Sequence, residues 1–143
     1  MDNTWVLVAN ASEAHLYATE RLGKDMTILK DFSHPEGRAK AGTLTSDRPH
    51  GRGPHSGTRG DDTTDPKDFE EDRFARQLAD ELDKGRLEKA YRRLALVAAP
   101  HFHGLLNMHL NDHTRALVKY SINKDLTDCD TRELPERLKN SME

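Results

Sequence analysis

A single cysteine, Cys129, in 143 residues leaves no partner for an internal disulfide, so packing alone must hold the chain together. Its neighbours Asp128 and Asp130 are acidic and would not lower a thiol pKa, which excludes a reactive thiolate from the expectations. Long hydrophobic runs are missing as well. The apolar stretches Trp5–Ala9 and Leu94–Ala99 fall far short of the roughly 20 residues that span a bilayer, so membrane insertion is not expected. The first of them, behind Met-Asp-Asn, also lacks the basic flank of a signal peptide, and the expected location is cytoplasmic. The net charge of −3 excludes a chain built as a whole to bind nucleic acid; any attraction to phosphate must be local.

The apolar fraction is 34% and the charged fraction 33%, and their distribution is uneven. Ser33 to Asp68 holds only Ala39, Ala41 and Leu44 as apolar side chains, whereas the remainder has an ordinary core composition. The length suits one domain over residues 1–143, carrying one long loop at about 34–64.

Thr4–Asn10 is a short run of β-formers and predicts a strand covered on both faces. Asn10-Ala11-Ser12 has turn chemistry. Glu13–Glu20 then alternates with Ala14, Leu16 and Ala18 on one face. After the turn Leu22–Asp25, Met26–Phe32 alternates through Met26, Ile28 and Phe32, which completes an antiparallel meander. Beyond the loop, Asp65 reads as an N-cap and Pro66 as the first helical residue. Phe74, Leu78 and Leu82, flanked by Ala75 and Ala79, form an apolar stripe, and Gly85 is the expected stop. Leu94–Ala99 predicts a covered parallel strand, and Pro100 opens a helix that buries Phe102, Leu105, Leu106 and Leu110. Leu117–Ile122 alternates with Val118, Tyr120 and Ile122 on one side. Thr131–Met142 predicts a final helix, with Pro135 in its first turn. The order β-β-β-loop-α-β-α-β-α implies a mixed α/β sheet of about five strands, a meander followed by parallel strands, with helices packed on it.

The loop is the leading candidate for function. Between Arg38 and Gly60 it carries Arg38, Lys40, Arg48, Arg52 and Arg59 against one acid, Asp47, with His50 and His55 adding charge near pH 6. Its glycines Gly42, Gly51, Gly53, Gly57 and Gly60 allow close approach of backbone to a ligand, and arginine reads phosphate bidentately. The candidate nucleic-acid contacts are therefore Arg38, Lys40, Arg48, Arg52, His55 and Arg59. No aromatic residue interleaves, so base stacking has no support. The plain alternative is a solvated loop without a partner.

Other chemistry finds less footing. His109 and His113 stand at i, i+4, but the intervening Leu110-Asn111-Asp112 lacks the glutamate of a zincin. A metal would need a third ligand from elsewhere, and none is assigned. Ser56 beside His55 has no third member, and neither a nucleophile elbow nor a phosphate-cradling glycine motif is present. No cofactor is implied.

Several stretches together resemble the bacterial host attachment proteins, a family named for a requirement in attachment to host cells. They are Trp5–Asn10 with Ala14-His15-Leu16-Tyr17, Phe32–Arg38, Ser46-Asp47-Arg48-Pro49, Ala99–Leu106 and Lys124-Asp125-Leu126-Thr127. That family in turn resembles the middle domain of archaeal and eukaryotic peptide-chain release factors, a ribonuclease H-like sandwich. There a basic glycine-rich loop carries Gly-Gly-Gln to the peptidyl-transferase centre. Arg73-Phe74-Ala75-Arg76 matches the helix that follows that loop, but no Gly-Gly-Gln occurs here and the lone glutamine is Gln77. The resemblance therefore implies delivery of a cationic loop to the ribosome or tRNA without the residue for peptidyl-tRNA hydrolysis. Two readings stand beside this non-enzymatic one. The first is a factor binding a protein or an acidic polysaccharide, and the second a hydrolase using His55 or a metal on His109 and His113.

Overall fold

The computed structural model describes residues 3–33 and 66–141, with side chains from Phe69 onward in the second stretch. The predicted loop and its Asp65 cap lie outside the described residues. Strands β1 (Thr4–Ala9), β2 (Glu13–Thr19) and β3 (Met26–Ser33) are followed by helix α1 (Pro66–Leu87), β4 (Arg93–Val97) and α2 (Pro100–His109). A single-turn helix α3 (Asp112–Arg115), β5 (Val118–Ile122) and α4 (Leu134–Ser141) complete the order. The sheet runs β3-β2-β1-β4-β5. The first three strands pair antiparallel, whereas β4 is parallel to both β1 and β5. This is the expected mixed α/β architecture; α3 is the one addition.

Both faces of the central strands are covered, which is why they read as unbroken apolar runs rather than alternating ones. On one face Leu7, Leu16, Leu94 and Leu96 meet Phe74, Leu78 and Leu82 of α1 and Phe102 and Leu106 of α2. On the other, Val6, Val8, Ala95, Val97 and Ile122 meet Leu134 and Leu138 of α4, together with Leu126. Each fully buried leucine contributes roughly 1.5–3 kcal/mol over an exposed one. The stripes read from sequence on α1 and α2 thus face the core, although Leu105 is only half-buried.

Two strands depart from simple alternation. In β3, Lys30 pairs with Leu16 and Ile28 with Tyr17, so Leu29 is an extra residue in a β-bulge. The bulge inverts the parity of everything beyond it. Met26 packs on the α4 face and Phe32 on the α1 face, correcting the expectation that Met26, Ile28 and Phe32 share a side. Likewise β5 pairs Val118 with Leu94 and Tyr120 with Ala95, leaving Lys119 as the extra residue. Val118 consequently turns to the α1 face while Tyr120 and Ile122 stay on the other. Both bulged strands are sheet edges, where bulges discourage pairing with another chain.

Gly85 does not stop α1, which runs to Leu87. The helix closes with a Schellman pattern in which Ala90 N–H donates to Gly85 C=O and Lys89 N–H to Arg86 C=O. Lys89, at φ 59°, takes the left-handed position usually given to glycine. Gly85 serves packing instead: a Cβ there would stand 2.5 Å from the Trp5 ring and 3.1 Å from Tyr91. Trp5 lies against Tyr91 at a centroid distance of 4.7 Å, and the Tyr91 hydroxyl donates to Leu82 C=O. Gly85→Ala is expected to lower stability by about 1–3 kcal/mol through overpacking, despite alanine's better helix propensity. Thermal unfolding followed by the emission of Trp5, the only tryptophan, checks this; an unchanged or raised midpoint would overturn the packing role.

Candidate functional site at the carboxyl edge of the sheet

Because β3 is antiparallel to β2 and β2 to β1, strands β1, β3, β4 and β5 all run in one sense. Ala9, Ser33, Val97 and Ile122 therefore end at the same edge of the sheet. From that edge the chain leaves β1 toward β2 on one side and β4 toward α2 and β5 on the other. Adjacent strands whose connections diverge in this way open a crevice, and open α/β sheets place ligands there. The beginning of α1 reaches the same edge, since Glu71 Oε1 is 3.1 Å from His101 Nε2 in the first turn of α2. The end of β3 and the beginning of α1 thus both stand at the carboxyl edge.

Within the crevice a hydrogen-bonded latch joins the ends of the first and last strands of the parallel half. Asn10 Oδ1 accepts from the backbone N–H of Ser12 at 2.8 Å and of Glu13 at 2.9 Å, shaping the β1–β2 turn. Its Nδ2 donates to Thr127 Oγ1 at 3.0 Å and to Asp125 Oδ2 at 3.3 Å. Asp125 Oδ1 in turn accepts from Thr127 N–H and Oγ1 at 3.0 and 2.6 Å. Partial burial works to raise the Asp125 pKa, but the Thr127 and Asn10 hydrogen bonds outweigh it and hold the carboxyl below its usual range. With both oxygens engaged, this carboxylate orients the β5–α4 connection and is poorly placed to act as a base.

The remaining polar chemistry lines α1 and α2. Glu71 is buried and meets the exposed His101, while Asp72 Oδ1 lies 2.7 Å from His109 Nε2. His103 is different. It is 7% exposed, its Nδ1 accepts from Asn107 Nδ2 at 3.2 Å, and among the described residues its Nε2 has no partner. Desolvation lowers its pKa, so the ring is held neutral with a buried N–H donor unpaired.

The loop cations Arg38, Lys40, Arg48, Arg52 and Arg59, and His55, lie outside the described residues. The described residues on either side of them are Ser33, at the end of β3, and Pro66, at the start of α1. The His109–His113 pairing is corrected: α2 ends at His109, Leu110 is extended (φ −75°, ψ 137°), and His113 belongs to α3. The two rings no longer share a helical face, and His109 is already paired with Asp72. Among the described residues no group of three potential ligands could hold a metal. Sequence reading missed the Asn10–Asp125 contact, which spans 115 positions. The only local signals were turn chemistry at Asn10-Ala11-Ser12 and the Asp-x-Thr spacing of Asp125 and Thr127.

A buried unpaired donor costs roughly 1–3 kcal/mol, whereas an apolar replacement of similar size removes that cost. His103→Leu is therefore expected to leave stability at pH 7 unchanged or raised. The folded pKa of His103 is depressed, so its contribution is present above the unfolded value of about 6.5 and is lost as pH falls through the folded one. The variant should flatten that part of the acid limb in chemical denaturation. A strong loss of stability at pH 7 would show that Nε2 has a partner after all.

The stretches that carry the family resemblance converge on this edge: Asn10, Ser33, the Ala99-Pro100-His101 start of α2, and Asp125 to Thr127. Among curated proteins none matches the chain significantly. A family profile described as "Protein required for attachment to host cells" does match, over residues 5–138, nearly the whole chain, and the protein belongs to that host attachment family.

Proposed function

We propose that the chain is a non-enzymatic, cytoplasmic binding module whose loop cations engage the phosphate backbone of RNA, with the ribosome as the partner. The observation that carries the reading is charge asymmetry: five cations against one acid between Arg38 and Gly60, in a chain whose net charge is −3. The loop's attachment at both ends to the carboxyl edge supports it, because that edge is where this class of sheet presents ligands. Phosphate neutralisation by arginine and lysine needs no catalyst, in keeping with the lack of Gly-Gly-Gln and with an Asp125 carboxylate tied up by Asn10 and Thr127.

Co-sedimentation with ribosomes across a salt series is the test. Engagement of single-stranded RNA by five cations predicts a slope of log K against log salt of at most about −3.5. Reversing Arg48, Arg52 and Arg59 to glutamate should abolish binding without shifting thermal unfolding, since the two described cores are built without them. Absence of binding at low salt would sink the reading. The family's description favours a second one, in which the same loop binds a protein or an acidic polysaccharide that supports attachment to host cells. Cell fractionation separates the two, because a cytosolic pool alone leaves only an indirect role in attachment.

A further inference from the structure

The two helix layers are unequal. Two helices, α1 and α2, cover one face of the sheet, and α4 alone packs on the other. A helix is roughly 10 Å across, while five strands span about 19 Å between the outermost pair. Part of the β2–β3 floor is left uncovered on the α4 side, and a cavity of about 390 Å³ lies there, lined by His15, Tyr17, Ile28, Asp31, Cys129, Asp130 and Thr131. That volume is at the lower end of the roughly 300–1,000 Å³ typical of small-molecule sites.

The β3 bulge assembles this cavity. Ile28 and Asp31 are three residues apart and would face opposite sides of a regular strand. The extra Leu29 puts both on the α4 side, opposite Tyr17 and His15 respectively. His15 Nδ1 lies 2.7 Å from Asp31 Oδ1, which fixes the ring; in its neutral form Nδ1–H donates to that carboxylate and Nε2 is left as an acceptor. Thr131 and Tyr17 both line the cavity, and the His15 and Tyr17 rings stand 6.4 Å apart. Ile28, 45% exposed, supplies an apolar wall.

Among the described residues the lining is rich in acceptors and contains no lysine or arginine. Asp31 and Asp130 carry the formal charge. Arg132 reaches Asp130 only at 3.5 Å, from a side chain that is 89% exposed. Outside that lining, Arg137 and Glu133 act on the Cys129 thiol with opposite sign. Two carboxylates, an oriented imidazole acceptor and flat apolar surfaces complement a planar cation with several donors and an aliphatic stem.

We propose that this cavity binds a guanidinium group, presented by a small organic cation or by an arginine side chain of a peptide. The proposal uses none of the loop residues: the described lining lies on the sheet face opposite α1 and α2. Cys129, the only thiol and part of the lining, is a built-in reporter. The rate of its alkylation by N-ethylmaleimide is measured against agmatine, acetyl-Gly-Arg-Gly-amide and the neutral isostere N-butylurea. A cation at twice its Kd should slow labelling about threefold by mass action, and saturably. N-butylurea should have no effect, and Asp31→Asn with Asp130→Asn should remove the protection while near-UV circular dichroism is unchanged. Both carboxylates are half-exposed or more, so the exchange is not expected to disturb the core. Stronger protection by the peptide assigns a protein partner, and stronger protection by agmatine a free cation. Equal protection by N-butylurea, none by either cation, or full protection in the folded double variant would overturn the proposal.

Discussion

The parallel pairing of β1 with β4 is the constraint on which the rest of the molecule depends. It joins the antiparallel meander of β1 to β3 to the β4–α2–β5 unit, which would otherwise share no sheet. Pairing Thr4 to Val8 with Arg93 to Val97 buries both strands on both faces, so the registered residues serve two cores at once. Parallel neighbours cannot be joined by a tight turn, and the chain must cross over through α1.

Once the strands are paired, local irregularities decide what each face presents. The extra residues Leu29 and Lys119 each move one set of side chains across the sheet. In β5 the effect is on the core, placing Val118 with α1 and Tyr120 with α4. In β3, which is exposed along most of its length, the effect is to gather Ile28, Asp31, His15 and Tyr17 on one side. Unequal helix layers then leave that side accessible. The α1–α2 side is closed instead by Asp83, which accepts from Arg86, Asn111 and Thr114 and ties the end of α1 to α3. Those hydrogen bonds, Asn111's foremost, hold the Asp83 carboxyl below its usual range.

The carboxyl edge shows how far local sequence can go toward a site. The turn at Asn10, the proline-led start of α2 and the exit of β5 were each recognisable from their own residues. Their meeting was not, because a contact over 115 positions leaves no periodic trace in the chain. The pairs Glu71–His101 and Asp72–His109 were hidden for the same reason. Acidic residues such as Glu71 and Asp72 near the start of a helix suit its macrodipole, and only the packing of α2 beside them supplies the histidines.

Periodicity and composition by themselves determined the element order, the apolar faces of α1 and α2, the doubly covered strands and the separation of a basic loop from an apolar core. These follow from short-range rules: the pitch of a helix, the pleat of a strand, the φ of proline, the repulsion of water by a run of leucine and valine. The tertiary structure decided what depends on an extra residue or a distant neighbour. Gly85 is small because Trp5 lies against it, Lys89 and not Gly85 takes the left-handed turn, and Met26 and Phe32 face opposite ways because of Leu29. Bulges and close contacts are set by register between strands and by the fit of surfaces, and neither is encoded in the spacing of a single segment.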